Sequence, residues 1–150
     1  MSESKFVYVT YIRTTPEKLW QALTDSEFNR KYWFGCYQES EWKQGAEWKI
    51  LGSDGRLYDS GEVLEIDPPR RLVLKWRNEW LPELKADGWS RCVFEIETDG
   101  ELTKLSVTHT TERPSLFIEK VSTGWPKILS SLKTLLETGR ALPRTDQPKA

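Results

Sequence analysis

The stretch SLFIEKVSTGWPKILSSLKTLLETG, residues 115–139, decides the fold of this chain. Its apolar residues recur at steps of three and four, which places them along one face of a helix. The residues of this apolar face are Phe117, Val121, Trp125, Ile128, Leu132, Leu135 and Leu136. Gly139 follows as the residue type preferred just beyond a helix end. We therefore predict a long amphipathic C-terminal helix that needs a sheet to lie on.

Pro126 lies inside this predicted helix, where a proline removes one backbone hydrogen bond and crowds the carbonyl of Ser122. Gly124 lowers the helix propensity further. Two interpretations follow: one helix that is kinked near residues 122–126, or a separate turn at residues 115–121 followed by a helix that starts at Pro126. The apolar face continues across the proline, which favours the kinked helix.

One strand and two short helices are predicted at the start of the chain. The β-rich, alternating residues 5–13 predict the opening strand. Thr15 followed by Pro16 predicts a helix start, because threonine caps helix N-termini and proline is favoured at the first helical position. Asp25 predicts the N-cap of a second short helix, and Gly35 its end.

Six further strands are predicted between residues 38 and 110, joined by short turns. Their predicted ranges are 38–42, 46–51, 57–66, 72–76, 89–97 and 102–110. Gly61 predicts a bulge or bend within its strand, and the polar residues 78–87 predict a loop. Strands joined by short turns form an antiparallel meander. The element order therefore predicts an α+β domain with helices gathered on one face of the sheet.

The length of 150 residues predicts a single domain covering residues 1–150, with its core at about residues 5–139 and residues 140–150 as a frayed tail. The formal net charge is −1 and the basic residues are scattered among acidic ones, which argues against a nucleic-acid partner. No apolar stretch is long enough to span a membrane. The two cysteines provide no disulfide framework, so a reducing, cytoplasmic location is expected.

His109 is the only histidine, which excludes a histidine-rich metal site, and no Gly-rich phosphate loop is present. We therefore predict neither a metal nor a cofactor. His109 shares a strand face with Leu105 and Val107, which predicts a neutral, hydrogen-bonded histidine at the rim of the core. The alternatives are a polar anchor for a ligand or a general acid/base. Cys92 is expected to be an inert apolar residue, and Cys36 a more exposed one.

The chain contains eight tryptophans, an unusual number for its length. A tryptophan in a strand-rich chain is most often a core residue, since its large ring suits half-buried, pleated surfaces. Several of them together also suit an aromatic-lined pocket. We expect at least two of the eight to line a cavity.

These patterns together resemble the SRPBCC (START-like, Bet v 1-like) superfamily, and within it the domain named for activators of the heat-shock-protein-90 ATPase. The resemblance covers residues 5–139 and rests on an ordered set of short motifs, none of them strong alone. The motifs are TPEKLW (15–20), ALTD (22–25), WFG (33–35), GEV (61–63), DPPRRL (67–72), TH (108–109), GWP (124–126) and LSSLK (129–133).

The resemblance implies the helix-grip fold, in which an antiparallel sheet wraps around a long C-terminal helix, with an internal and mostly apolar cavity. It implies no catalytic residue, because this branch shares none. The eukaryotic co-chaperone of the family carries a separate N-terminal domain, whereas the only domain expected here starts near residue 5. The chain therefore looks like the stand-alone bacterial type.

The function predicted from these features is the binding of a small apolar or aromatic molecule in that cavity, without catalysis. The residues predicted to line it are Trp33, Trp76, Phe94, His109 and Trp125. One alternative is a protein-interaction module with a stress or chaperone role. A less favoured one is an enzyme of the cyclase or hydratase kind that uses His109 as its acid/base.

Overall fold

A seven-stranded antiparallel sheet forms the body of the protein in a computed structural model that describes residues 3–143. The strands are β1 (Ser4–Ile12), β2 (Tyr37–Ser40), β3 (Glu47–Leu51), β4 (Leu57–Asp67), β5 (Arg71–Asn78), β6 (Ser90–Asp99) and β7 (Leu102–Thr111). Their spatial order is β1-β7-β6-β5-β4-β3-β2, so that β1 and β2 are the two edges.

The described residues form four helices, which are α1 (Pro16–Thr24), α2 (Ser26–Tyr32), α3 (Pro82–Ala86) and α4 (Leu116–Thr138). The chain crosses from one sheet edge to the other through α1 and α2, and α4 lies against the sheet at the end. The predicted α+β class and the helix-grip architecture are confirmed.

Helix α4 runs through Pro126 without interruption. Ser115 caps it, accepting a hydrogen bond from the backbone N–H of Ile118 over 3.1 Å, and Gly139 follows it with a left-handed φ of 85°. The interpretation with a helix that starts at Pro126 is therefore wrong. Buried side chains on both sides of the proline, such as Phe117 and Leu132, anchor the two halves to the same sheet.

The buried face of α4 is rotated slightly from the predicted one. Its buried apolar residues are Phe117, Ile118, Trp125, Leu129 and Leu132. Ile128, Leu135 and Leu136 are only partly buried, although the sequence pattern places them on the apolar face. A flanking row of apolar residues, Val121 and Ile128, instead faces a pocket beside the sheet.

Helices α1 and α2 are held to the sheet by a buried polar network that the sequence pattern does not predict. The side-chain amide of Asn29, which is fully buried, donates to the carbonyl of Ala22 over 2.9 Å and accepts from the backbone N–H of Gln38 over 3.0 Å. The Gln38 side chain in turn accepts from Trp48 Nε1 over 2.8 Å. Because each group has a partner, the network fixes the position of α2 against β2 and β3.

Two predictions along the sheet are wrong. The predicted loop at residues 78–87 contains the helical turn α3, because Leu84 packs into the core and Pro82 begins the turn. The pairing of β4 with β5 shifts register between Val63 and Glu65, and its pairing with β3 shifts opposite Ile50 and Leu51, so neither shift lies at Gly61. A Cβ at Gly61 would lie 1.6 Å from the carbonyl oxygen of Lys75, so glycine is required there by close strand approach.

Residues 140–143 form neither helix nor strand, and the backbone N–H of Leu142 donates to Ser131 Oγ over 3.3 Å. The rest of the predicted frayed tail lies outside the described residues. Among the residues that the structure describes, no helix is long and apolar enough to cross a membrane.

Candidate functional site

A pocket of about 240 Å³ lies between α4 and the inner face of the sheet. Helix α4 contributes one row of residues to it at steps of three and four, and the sheet contributes the opposite wall. We call it the α4 pocket. Its lining includes Trp33, Tyr58, Asp59, Trp76, Asn78 and, from α4, Phe117, Lys120, Val121, Gly124, Trp125 and Ile128.

The floor of the α4 pocket is a cluster of aromatic rings. The ring centres of Trp76 and Trp125 lie 5.7 Å apart in an edge-on arrangement, and those of Trp33 and Trp125 lie 5.8 Å apart. Such offset and edge-on geometries are the favoured ones for aromatic pairs. The cluster therefore presents a rigid, apolar surface suited to a flat molecule.

Asp59 and Asn78 form a polar end to this otherwise apolar pocket. They are directly opposite each other on β4 and β5, and Asn78 Nδ2 donates to Asp59 Oδ1 over 3.1 Å. Trp76 lies next along β5 on the same face, with 3% of its surface exposed. Its Nε1–H faces the Asp59 carboxyl without reaching hydrogen-bonding geometry. It is the only buried side-chain polar atom within residues 3–143 that lacks a partner.

The Asp59 carboxyl is surrounded by protein atoms, although part of the residue opens on the pocket. Burial raises the pKa of Asp59 to about 7. The N–H groups of Trp76 and Asn78 oppose this rise by stabilising the carboxylate, while the negative charge of Glu79 adds to it. Asp59 can therefore change its charge near neutral pH.

Glu79 stands beside the polar end as a permanent negative charge. Burial opposes its ionisation, but hydrogen bonds from Ser60, Arg77 and Lys85 prevail and lower the pKa of Glu79. Ser60 Oγ donates to Glu79 Oε2 over 2.6 Å, and Arg77 Nε donates to the same oxygen over 2.8 Å. Glu79 is therefore engaged by its own partners and does not face the pocket as an open group.

His109 lies behind the pocket, where it is completely buried and both ring nitrogens are bonded. Trp125 Nε1–H donates to Nδ1 over 3.2 Å, which makes Nδ1 an acceptor and places the proton on Nε2. Nε2–H then donates to Ser90 Oγ over 2.8 Å, and Ser90 donates to the carbonyl of Trp76 over 3.0 Å. One tautomer of neutral histidine satisfies the whole chain of bonds.

Burial lowers the pKa of His109 to about 3. The histidine is therefore neutral at physiological pH, as the sequence predicts, but it sits in the centre of the core rather than at its rim. Its ring centre lies 4.9 Å from that of Trp76, which separates it from the α4 pocket. The arrangement suits a structural clamp between β6, β7 and α4 better than proton transfer to a ligand.

The five residues predicted to line the cavity fall into two groups. Trp33, Trp76 and Trp125 line the α4 pocket. Phe94 and His109 do not reach it, and each instead packs against the far side of Trp125, with ring centres 5.9 Å and 6.2 Å away. The sequence pattern identifies the shared inner face of the sheet but not which of its positions the helix covers.

Asp59 and Asn78 are missing from the sequence-based set, although the strand pattern contains a signal for both. Leu72, Leu74 and Trp76 alternate on one face of β5, and the next residue on that face is Asn78. Asp59 is the residue opposite it. Continuing the alternation beyond Trp76 places Asn78 at the pocket, and the pairing of β4 with β5 then places Asp59 beside it.

A second depression, of about 490 Å³, lies on the surface around residues 39–49. Its lining is mostly exposed and charged, and includes the Glu41–Lys43 ion pair at 3.1 Å. No buried polar group points into it, so it lacks the features of a built site. Within the described part of the chain, no cluster of His, Cys, Asp and Glu is suited to a metal ion.

A family model described as Activator of Hsp90 ATPase homolog 1-like protein matches residues 13–137. Among curated protein sequences, no significant match is found.

Several solved structures share the fold. CalU16 from Micromonospora echinospora superposes with a TM-score of 0.73 at 20% identity, over 90% of this chain and 77% of that chain. The Aha1 dimer from Colwellia psychrerythraea superposes with a TM-score of 0.71 at 22% identity, over 92% of this chain and 99% of that chain. An HSP90 activator from Plasmodium falciparum superposes with a TM-score of 0.71 at 24% identity, over 88% of this chain and 95% of that chain. At these identities the likeness establishes the fold alone.

Proposed function

The chain belongs to the family of Activator of Hsp90 ATPase homolog 1-like proteins, and within that family we propose that it binds a small apolar or aromatic molecule in the α4 pocket, without catalysis. The observation that carries the proposal is a concave site walled by Trp33, Trp76 and Trp125, with a buried, unpartnered indole N–H in the wall that Trp76 forms. Mostly apolar walls with a few placed polar groups are typical of small-molecule sites.

The state of His109 favours a binding role over the cyclase or hydratase alternative. An acid/base must be within reach of its substrate and have a pKa near the working pH. Both nitrogens of His109 are bonded within the core, and its pKa of about 3 is far from neutral. We propose a cytoplasmic location for the protein, where thiols stay reduced, since neither Cys36 nor Cys92 is in a disulfide.

The test uses Gly124, which lines the α4 pocket and has open space where a Cβ would stand. Gly124→Leu is expected to fill the pocket, whereas Gly124→Ala adds one methyl group and serves as the matched control. Both changes remove a helix glycine, so neither is expected to weaken α4.

The three proteins are screened by thermal shift against flavonoids, fatty acids and polyketide-like aromatics. A saturating ligand should raise the Tm of the wild type and Gly124→Ala by roughly 5–10 °C and leave Gly124→Leu unchanged. The same ligand should quench tryptophan fluorescence only in the first two. Stabilisation by no apolar class, or equal stabilisation of Gly124→Leu, would contradict the proposal.

A chaperone-associated role is the second candidate, favoured by the family match and by the similar fold of the HSP90 activator from Plasmodium falciparum. It predicts that the purified chain raises the ATPase rate of an Hsp90-type chaperone. The rate is measured with and without the chain at equal molar amounts. No change in that rate would remove this candidate without affecting the first.

A further inference from the structure

The polar end of the α4 pocket is built for a specific kind of ligand group. Resting on the proposed binding function, we propose that Asp59 and Trp76 together select an aromatic ligand that carries a hydroxyl group. In this arrangement the ligand O–H donates to the Asp59 carboxylate, and the same oxygen accepts from Trp76 Nε1–H.

The indole of Trp76 is a buried hydrogen-bond donor without a partner. Trp76 is 3% exposed, and its Nε1–H makes no hydrogen bond within the described residues. A buried donor without a partner costs free energy, so an acceptor supplied by a ligand gains more there than at a solvated site. A ligand that carries a hydrogen-bond acceptor would therefore satisfy this N–H group.

The carboxylate of Asp59 lies beside this indole. Asn78 donates to Asp59 Oδ1, and Asp59 lines the pocket together with Trp76. Because an ionised carboxylate only accepts hydrogen bonds, it favours a ligand that carries a donor. A hydroxyl oxygen supplies the donor and the acceptor at one atom, whereas an ammonium group has no acceptor for the indole.

The volume of the α4 pocket limits the size of the ligand. A cavity of about 150 Å³ accommodates benzene, and the α4 pocket has about 240 Å³. Two fused rings therefore fit between Trp33, Trp125 and Val121, with the hydroxyl at the Asp59 end. The aromatic floor supplies affinity, and the Asp59–Trp76 pair supplies selectivity.

Three probes of the same skeleton separate these contributions. They are 2-naphthol, which donates and accepts, 2-methoxynaphthalene, which only accepts, and naphthalene, which does neither. Affinities are measured by tryptophan fluorescence at pH 8, where Asp59 is ionised. We expect 2-naphthol to bind about tenfold tighter than 2-methoxynaphthalene, because only the former donates to the carboxylate. Naphthalene should bind weakest.

Asp59→Asn and Trp76→Phe test the two partners separately. Asp59→Asn should reduce the preference for 2-naphthol over 2-methoxynaphthalene to about twofold, since the charge is lost. Trp76→Phe should lower the affinities of 2-naphthol and 2-methoxynaphthalene to values closer to that of naphthalene, because the indole donor is lost. Val121→Ala, an apolar change in the same pocket, should lower the affinity for all three probes by the same factor. It should leave the preference for 2-naphthol over 2-methoxynaphthalene unchanged.

A pH comparison on the wild type tests the proposal without any variant. At pH 5.5 Asp59 is protonated and donates as well, so both oxygen-bearing probes accept from the site and the preference should fall to about twofold or less. The other titratable groups at the site are Cys36, Tyr58 and Lys120, which line the pocket, and Glu79 with its partners Arg77 and Lys85. Glu79 is held ionised by its partners, so Asp59 is the group expected to change.

The outcomes separate this proposal from the proposed function. Equal binding of all three probes at pH 8, or a preference that persists at pH 5.5 and in Asp59→Asn, would overturn the Asp59–Trp76 anchor while leaving a binding pocket. Failure of all three probes to bind would overturn both. A preference that depends on pH and on Asp59 would support both.

Discussion

The indole N–H of Trp125 and Nδ1 of His109 are joined by a hydrogen bond of 3.2 Å that links helix α4 to the centre of the sheet. This bond fixes the tautomer of the only histidine and sets the position of the aromatic floor of the α4 pocket. It therefore connects the stability of the core to the shape of the candidate site.

Trp125→Phe should destabilise the protein by about 1–3 kcal/mol, because it leaves a buried acceptor on His109 unsatisfied and shrinks a buried ring. Urea denaturation measures the change. Trp33→Phe is the matched control, since Trp33 contacts Trp125 but makes no bond to His109. An equal or larger loss for the control would mean that the bond to His109 contributes little.

The shifted pKa values of Asp59 and His109 predict opposite pH dependences of stability. Asp59 has a pKa raised from 3.8 to about 7 by folding, so its contribution to stability is present below the unfolded value and lost as the pH rises through 7. His109 has a pKa lowered from 6.5 to about 3, so its contribution is present above 6.5 and lost as the pH falls towards 3. In the wild type the two slopes nearly cancel at intermediate pH.

Single substitutions should uncover these slopes. Between about pH 5 and 6.5, Asp59→Asn should lose roughly 1 kcal/mol of unfolding free energy per pH unit of acidification, and His109→Gln should gain a similar amount. Urea denaturation at several pH values measures both. Slopes of the same sign in the two variants would contradict the assigned charge states.

Neighbouring residues of α4 should differ in their contribution to stability. Leu132 is completely buried, so Leu132→Ala should cost about 2–5 kcal/mol. Ile128 lines the α4 pocket and is only partly buried, so Ile128→Ala should cost clearly less. Denaturant unfolding of the two variants compares them directly. A larger loss at Ile128 would mean that the helix face is rotated from the one described.

The buried network of α2 should be a strong determinant of stability. Asn29→Leu keeps the approximate size of the side chain but leaves the backbone N–H of Gln38 without its partner and removes one of the two donors to the carbonyl of Ala22, the other being the Tyr32 hydroxyl. A loss of about 2–4 kcal/mol is expected in urea denaturation. The exposed control Gln21→Leu should stay within about 0.5 kcal/mol of the wild type. A similar small change for Asn29→Leu would contradict the role of the network.

Much of the fold follows from local signals in the sequence. Thr15 and Asp25 cap the helices where the sequence predicts them, and alternation marks most strand faces. The turn α3 was not predicted, because its start at Pro82 lies in a polar segment and its packing depends on one residue, Leu84. For Gly61 the local pattern predicts a bulge or bend, since the close approach of the strand backbone at Lys75 is a tertiary constraint that a local pattern does not contain.

The site was only partly predictable for the same reason. Trp33, Trp76 and Trp125 follow from aromatic residues on inward faces, but inward residues divide between pocket and solid core according to how α4 lies on the sheet. Phe94 and His109 fall on the core side. That division depends on the crossing of two elements distant in sequence.

The central claim, that the α4 pocket holds a small aromatic molecule, is tested most directly by NMR. The indole N–H signals of the ¹⁵N-labelled protein are followed during titration with 2-naphthol. The account predicts saturable one-to-one shifts of the Trp33, Trp76 and Trp125 signals, while the signal of Trp89, on the outside of the sheet over Lys75 and Arg77, stays in place. No saturable shift of the three pocket signals, or an equal shift of Trp89, would contradict it.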